Sequence, residues 1–169
     1  IYVSRDGGRN FYQKQPKEAF PVCDFGYIDT ANKTEVRGEG GKTGIFYLAL
    51  GDAGLYKLCY DTKTEEIHVK RLTDTGDACY RMGLGVIGED RDYLTEEKAI
   101  YFCGRLEGEY GFYRTFDEGK SYERLNQDNQ MYGEINSIDG DKRKFGRFFL
   151  ATGSRGVLYG EMKRQSRKI

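Results

Sequence analysis

SRDGGRNF at residues 4–11 and TFDEGKSY at residues 115–122 are two copies of one pattern, Ser/Thr-x-Asp-x-Gly-x-x-aromatic. Ser4, Asp6, Gly8 and Phe11 answer to Thr115, Asp117, Gly119 and Tyr122, 111 positions apart. If that spacing marks a repeat, a copy belongs near its midpoint. Asp61, in LYKLCYDTKTEEIHVKRL, lies 55 residues after Asp6 and 56 before Asp117. It has Cys59 and Lys63 where the other copies have Ser/Thr and Gly. Gly54-Leu55-Tyr56-Lys57 and Gly111-Phe112-Tyr113-Arg114 agree at a spacing of 57, and FFLATGSRGVLYGE at 148–161 reads as an incomplete further copy.

Strands can be counted inside one period. RMGLGVIGE, AIYFCGRLE, YGFYRTFD and SYERLNQ follow one another from Arg81, each partly alternating and bounded by Gly, Asp or Glu. Four short strands per repeat of about 55 residues describe a β-propeller blade, a four-stranded antiparallel sheet. The repeated octapeptide then sits on the hairpin between the third and fourth strands. A turn wants these residue types: a short carboxylate bonds backbone N–H groups, and Gly accepts positive φ without steric cost. Turn chemistry alone explains carboxylates at Asp6, Asp61 and Asp117. AFPVCDFGYIDTANKT at 19–34 has no 3.6-residue period and reads as a linker.

The expected organisation is propeller blades over 1–162: the end of one blade at 1–16, a second at about 34–73, a third at 81–127 and an incomplete last blade at 134–162. KRQSRKI at 163–169 reads as a basic tail or linker. Two and a half blades close no ring and leave sheet faces bare. The expectation is therefore a piece of a longer polypeptide, with self-assembly as the other way to cover those faces.

Composition narrows the function. Lys+Arg and Asp+Glu are equal at 27, so no electrostatic reason exists for nucleic acid or an anionic membrane as partner. No apolar run approaches the roughly 20 residues that span a bilayer. Cys23, Cys59, Cys79 and Cys103 are spaced 36, 20 and 24 apart, too wide for metal-binding pairs, so no metal site is expected. Those cysteines are open to two readings, disulfides in an exported protein or buried thiols on strands. His68 alternates with Ile67 and Val69 and reads as a surface residue.

The repeated octapeptide resembles the Asp-box of BNR type. The text GFYRTFDEGKSYERLNQDNQMYG followed by GDKRKFGRFFLATGSRGVLYGE resembles the closing segment of glycoside hydrolase family 74, the xyloglucanases. There a blade G-x-Y/F-R-S-x-D-x-G-x-T-W-x-R-I-N-D-D-Q-H-Q-Y-G precedes G-D-P-R-x-Y-G-R-V-Y-x-G-T-N-G-R-G-I-x-Y-G-D. The resemblance implies the C-terminal portion of a seven-bladed propeller in a secreted, cofactor-free enzyme of two propellers. Such an enzyme cleaves β-1,4-glucan linkages of xyloglucan by inversion, with one catalytic Asp in each propeller. Both aspartates lie upstream of the matching text, so no catalytic residue is expected here and the piece alone should be inactive. Asn126, Asp128, Gln130 and Tyr132, in the N-D-D-Q-H-Q-Y-G stretch, and Arg155, in N-G-R-G, become candidate substrate-binding residues. The polysaccharide, the remaining blades and the N-terminal propeller are the implied partners. Departures fall at Gln127, Asn129 and Gln130, where the family has Asp, Gln and His, and at Lys142, where it has Pro. A sortilin-like binding module and a sialidase are the other Asp-box proteins considered. The first brings a Cys-rich module not seen here, the second arginines at repeated inward positions.

Overall fold

A computed structural model describes residues 1–21, 31–38, 41–89, 91 and 98–162, the side chains of 31–38 and 41–43 excepted. The 163–169 tail and Cys23 lie outside the described residues. The described chain is all-β. It runs β1 (Tyr2–Val3), β2 (Tyr12–Gln13), β3 (Ala31–Gly38), β4 (Gly41–Ala49), β5 (Leu55–Asp61) and β6 (Ile67–Arg71). Then follow β7 (Ala78–Gly85), β8 (Ala99–Leu106), β9 (Glu109–Thr115), β10 (Glu123–Arg124), β11 (Ile135–Gly140), β12 (Phe148–Thr152) and β13 (Val157–Gly160).

These strands form four antiparallel sheets in simple up-and-down order: β1-β2, β3-β4-β5-β6, β7-β8-β9-β10 and β11-β12-β13. We call them blades one to four. Partly alternating text makes each central strand two-faced, so successive sheets pack face to face, and blades two and three are covered on both sides. Ile1 and Val3 meet Leu48, Tyr56 and Leu58 between blades one and two. Tyr47, Ala49 and Leu55 meet Met82, Phe102 and Tyr113 between blades two and three. Tyr101, Cys103 and Phe112 meet Ile138, Phe148 and Leu150 between blades three and four.

Three expectations need adjusting. The SYERLNQ strand shrinks to the pair Glu123–Arg124, because beyond Leu125 the backbone is held by the Asn126 side chain rather than by a ladder. β7 begins at Ala78, ahead of Arg81, because its ladder with β8 already pairs Ala78 with Arg105 and Cys79 with Gly104, while Cys79 also exchanges both backbone hydrogen bonds with Gly51 of blade two. β3 likewise starts at Ala31, inside the stretch read as linker.

The described thiols Cys79 and Cys103 sit on opposite faces of blade three, in different clusters, and Cys59 lies in blade two. Burial raises the Cys103 thiol to about 11, which leaves it protonated and inert at neutral pH.

Candidate functional site

The two octapeptides adopt one hydrogen-bonded structure. In the first, the Ser4 hydroxyl donates to Asp6 Oδ1 at 2.9 Å and accepts the Gly8 N–H at 2.7 Å. Asp6 Oδ1 also accepts the Asn10 N–H at 2.9 Å, and Oδ2 accepts the Asn10 amide at 2.6 Å. In the second, the Thr115 hydroxyl donates to Asp117 Oδ1 at 2.8 Å and accepts the Gly119 N–H at 2.9 Å. Asp117 Oδ1 accepts the Ser121 N–H at 2.9 Å, and Oδ2 the Ser121 hydroxyl at 2.6 Å. Gly8 and Gly119 both carry positive φ, 90° and 85°, which is where glycine is required. Asp61 keeps a reduced version, accepting the Lys63 and Thr64 N–H groups at 2.7 and 3.1 Å.

These bonds decide what the carboxylates can do. The Asn10 backbone N–H, then its side-chain amide, draw Asp6 down to about 2, and the Ser121 hydroxyl and N–H do the same to Asp117. A carboxylate so held is ionised at any working pH and has its oxygens committed, so it is a poor proton donor. Because the folded pKa lies below the unfolded one, the stabilisation is complete above about pH 4 and is lost as pH falls toward 2. We expect resistance to urea to drop through that window. Asp117→Ala should be less resistant at neutral pH and show a shallower drop on acidification. Parallel acid profiles for the two proteins would contradict this.

The second octapeptide also joins blades, through Glu118, which the sequence reading did not single out, and through Tyr122, which it did. Glu118, at φ 55°, accepts the Tyr47 hydroxyl at 2.8 Å and pairs with the Lys57 ammonium, both on blade two. The Tyr122 hydroxyl donates to the Leu72 carbonyl at 2.8 Å. The first octapeptide has Gly7 where the second has Glu118.

The candidate binding residues lie elsewhere. Thr115 and its octapeptide sit at the end of blade three where Ile100 pairs with Thr115, whereas the β10–β11 loop leaves from beside Phe112 toward the other end. Asn126 is only 8% exposed. Its Oδ1 accepts the Phe112 N–H at 2.7 Å and its amide donates to the Gln127 carbonyl at 3.2 Å, so it braces the loop from within. The Asp128 side chain is 88% exposed and pairs with Arg124 at 2.8 Å. Gln130 is half-buried and accepts the Gln127 N–H at 3.0 Å. Tyr132, at φ 55°, lays its ring parallel to Phe112 with centroids 6.3 Å apart. Arg155 is exposed in the β12–β13 turn, which the Gly153 N–H ties to the Glu134 carbonyl at the end of the same loop. The structure therefore gathers the loop and the turn at one end of blades three and four. Among the described residues no cluster of three or more His, Cys, Asp or Glu side chains suits a metal ion.

His68 sits on the surface of edge strand β6, where its Nδ1 lies 3.0 Å from Glu18. Glu18 also accepts the Val69 N–H at 2.8 Å, so the segment after blade one straps the edge of blade two. The Glu18 partner raises the His68 pKa.

No family model matches the chain. Among curated proteins it is similar to the xyloglucanase Xgh74A of Acetivibrio thermocellus, 30% identical over 162 residues, 95% of this chain and 17% of that protein. It is equally similar, 30% over 167 residues, to an oligoxyloglucan-reducing end-specific xyloglucanase of Emericella nidulans, covering 96% of this chain and 19% of that one. A xyloglucanase of a Paenibacillus species is 31% identical over 163 residues, 14% of its length. The solved xyloglucanase from Xanthomonas campestris superposes with a TM-score of 0.66 at 24% identity, over 96% of this chain and 21% of that one. The chain is thus similar along nearly its whole length to xyloglucanases, and it shares its fold with the solved family 74 enzyme. It spans less than a fifth of the length of these curated relatives. Matches over 95–96% of the chain take in the β10–β11 loop and the β12–β13 turn.

Proposed function

We propose that this chain forms late blades of the second propeller of a secreted, cofactor-free glycoside hydrolase that cleaves β-1,4-glucan linkages of xyloglucan or related plant cell-wall glucans. One observation carries the reading: identity of 30–31% to xyloglucanases that runs along 95–96% of the chain rather than over one motif. Inverting hydrolysis needs an acid and a base carboxyl roughly 6.5–9.5 Å apart with room for water. Asp6, Asp61 and Asp117 belong to separate hairpins and each is tied to its own turn, which supports a non-catalytic part for them.

The end of blades three and four that carries the β10–β11 loop and the β12–β13 turn is the proposed contribution to the substrate cleft. Asp128 and Gln130 offer acceptors and an amide to sugar hydroxyls, and Arg155 a planar donor fork. Tyr132 offers a ring edge held by Phe112, and Asn126 keeps the loop in shape. The remaining blades and an N-terminal propeller would supply the rest of the cleft and both catalytic carboxylates.

The test is hydrolysis measured as release of xyloglucan oligosaccharides. The complete parent polypeptide should release them and the 169-residue chain should not. Turnover by the chain alone would place the active site here. Hydrolysis of another glucan but not xyloglucan would overturn the substrate.

A further inference from the structure

After β2 the chain turns onto the outer edge of blade two and runs along β6. The Lys14 N–H is still tied to blade one, donating to the Ile1 carbonyl at 2.9 Å, while the Lys14 ammonium pairs with Glu65 at 2.8 Å. Pro16 follows, with no N–H to leave unpaired. The Lys17 N–H then donates to the Ile67 carbonyl at 2.9 Å, and Glu18 Oε2 accepts the Val69 N–H at 2.8 Å. A carboxylate thus stands where a further strand would present a carbonyl. Phe20 closes the far end, edge-on to Tyr56 at 6.2 Å.

His68, the only histidine of the chain, sits between two carboxylates of this contact. Its Nδ1 lies 3.0 Å from Glu18 Oε1 and its Nε2 3.7 Å from Glu66 Oε2, and Glu66 is in turn paired with the Lys17 ammonium at 2.7 Å. A neutral imidazole has one N–H and one lone pair, so it donates to one carboxylate and turns a lone pair to the other. Only the imidazolium has a donor for each. The groups around it hold their charge: the His68 ring draws Glu18 down, Lys17 draws Glu66 down, and Glu66 raises Lys17. From β5, Asp61 is drawn down by the Thr64 N–H, and the Cys59 thiol, opposite His68 in the ladder, is pushed up by burial. Lys70 lies two residues along the same exposed face of β6. From about pH 5.5 to about pH 8, His68 is the described group of this cluster that changes charge.

We infer that the segment from Lys14 to Glu18 is a pH-operated strap, latched onto the edge of β6 by protonated His68 and loosened when the imidazole is neutral. The sense follows from the contact. The Glu18 hydrogen bond raises the His68 pKa, so the latch is fully closed below the ordinary value of 6.5 and is lost as pH rises through the raised folded value. Loosening is confined to the middle of the strap, because the Lys14–Glu65 pair and the Phe20–Tyr56 contact hold its ends. It bares the Ile67 carbonyl and the Val69 N–H, an open strand edge that another strand can join. The strap depends on none of the activity proposed above.

Amide hydrogen exchange of the 169-residue chain, followed by NMR and divided by the intrinsic rate at each pH, tests it. Protection of Val69 and Lys17 should fall roughly two- to five-fold between about pH 5.5 and about pH 8, the size of an exposed ion-pair contact. That of Ile100 and Phe102 in β8 should stay level. The single imidazole resonance should titrate above 6.5, with the same midpoint as the loss of protection. His68→Gln keeps a donor that cannot charge, so its strap should be loose at both ends of the range and show no pH dependence. Glu66→Gln leaves the Val69 acceptor in place and should lower the imidazole midpoint and the loosening pH together. The two side chains are 50% and 40% exposed, so neither change should disturb the fold, and the wild-type profile needs no variant. Level protection of Val69 and Lys17 across the range overturns the inference. So does an imidazole midpoint at or below 6.5, or a His68→Gln chain that keeps the wild-type profile.

Discussion

Phe102→Ala lowers the unfolding free energy by about 3–5 kcal/mol, the range for emptying a buried aromatic site. Phe102 is fully buried in β8 and belongs to the cluster between blades two and three. Its ring stacks on Tyr113 at 5.5 Å and meets Tyr122 edge-on at 5.7 Å. Tyr122 in turn reaches back to the Leu72 carbonyl, so the cavity would loosen the octapeptide hairpin as well as the core. Collapse into the void is opposed by the ladder on both sides, where Phe102 pairs with Met82 and Tyr113. Urea unfolding followed by tyrosine fluorescence reads the loss. Phe149→Ala is the internal control, since that ring is exposed and its removal should change the stability by well under half as much. Equal losses at the two positions would mean that blades two and three are not held together as described.

The blade period was legible because its marker is local. Every bond that defines an octapeptide joins residues no more than four apart, so the residue types at those spacings already specify the hairpin. Strands β8 and β9 were readable for a related reason, since both are long and bounded by turn residues. What escaped is what depends on contact between blades. Glu118 carries no local signal, and its role appears only when Tyr47 and Lys57, 71 and 61 residues away, are placed beside it. Likewise Glu18 reaches His68 across 50 residues, and Cys79, ahead of the strand read from Arg81, bridges to Gly51 of blade two.

The candidate site divides the same way. Text in register with the family drew attention to Asn126, Asp128, Gln130, Tyr132 and Arg155. The text does not distinguish a side chain that holds a loop from one that faces solvent. Asn126 is the former and Asp128 the latter, and only burial separates them. Nor does it show that Tyr132 rests on Phe112, since the two rings belong to a loop and a strand 20 residues apart.

Gly140→Val should cost about 3 kcal/mol or more and should act on blade four before the rest. Blades three and four meet at their first strands, β7 and β11, through glycine on both sides. A Cβ on Gly140 would lie 2.6 Å from the Gly85 Cα and 2.6 Å from the Tyr101 ring. The Gly85 contact is backbone on a strand laddered to β8, so it has no rotamer to give, and the Tyr101 ring is already stacked on Phe148 at 5.8 Å. Relief therefore means moving β11 away from β7, which opens the cluster holding Ile138, Phe148 and Leu150. Overpacking of this kind runs to 1–3 kcal/mol where side chains can adjust and exceeds it where they cannot. Among the described residues blade four has three strands and one neighbouring sheet, so it is the unit released. Native-state hydrogen exchange should show amides of β11, β12 and β13 losing protection while those of β4, β5 and β8 keep theirs. Trimming the ring with Tyr101→Leu should not rescue the variant, because the backbone contact with Gly85 remains. Rescue would show that the ring alone sets the spacing. Uniform loss of protection across all sheets would show that blade four is not separable from the others.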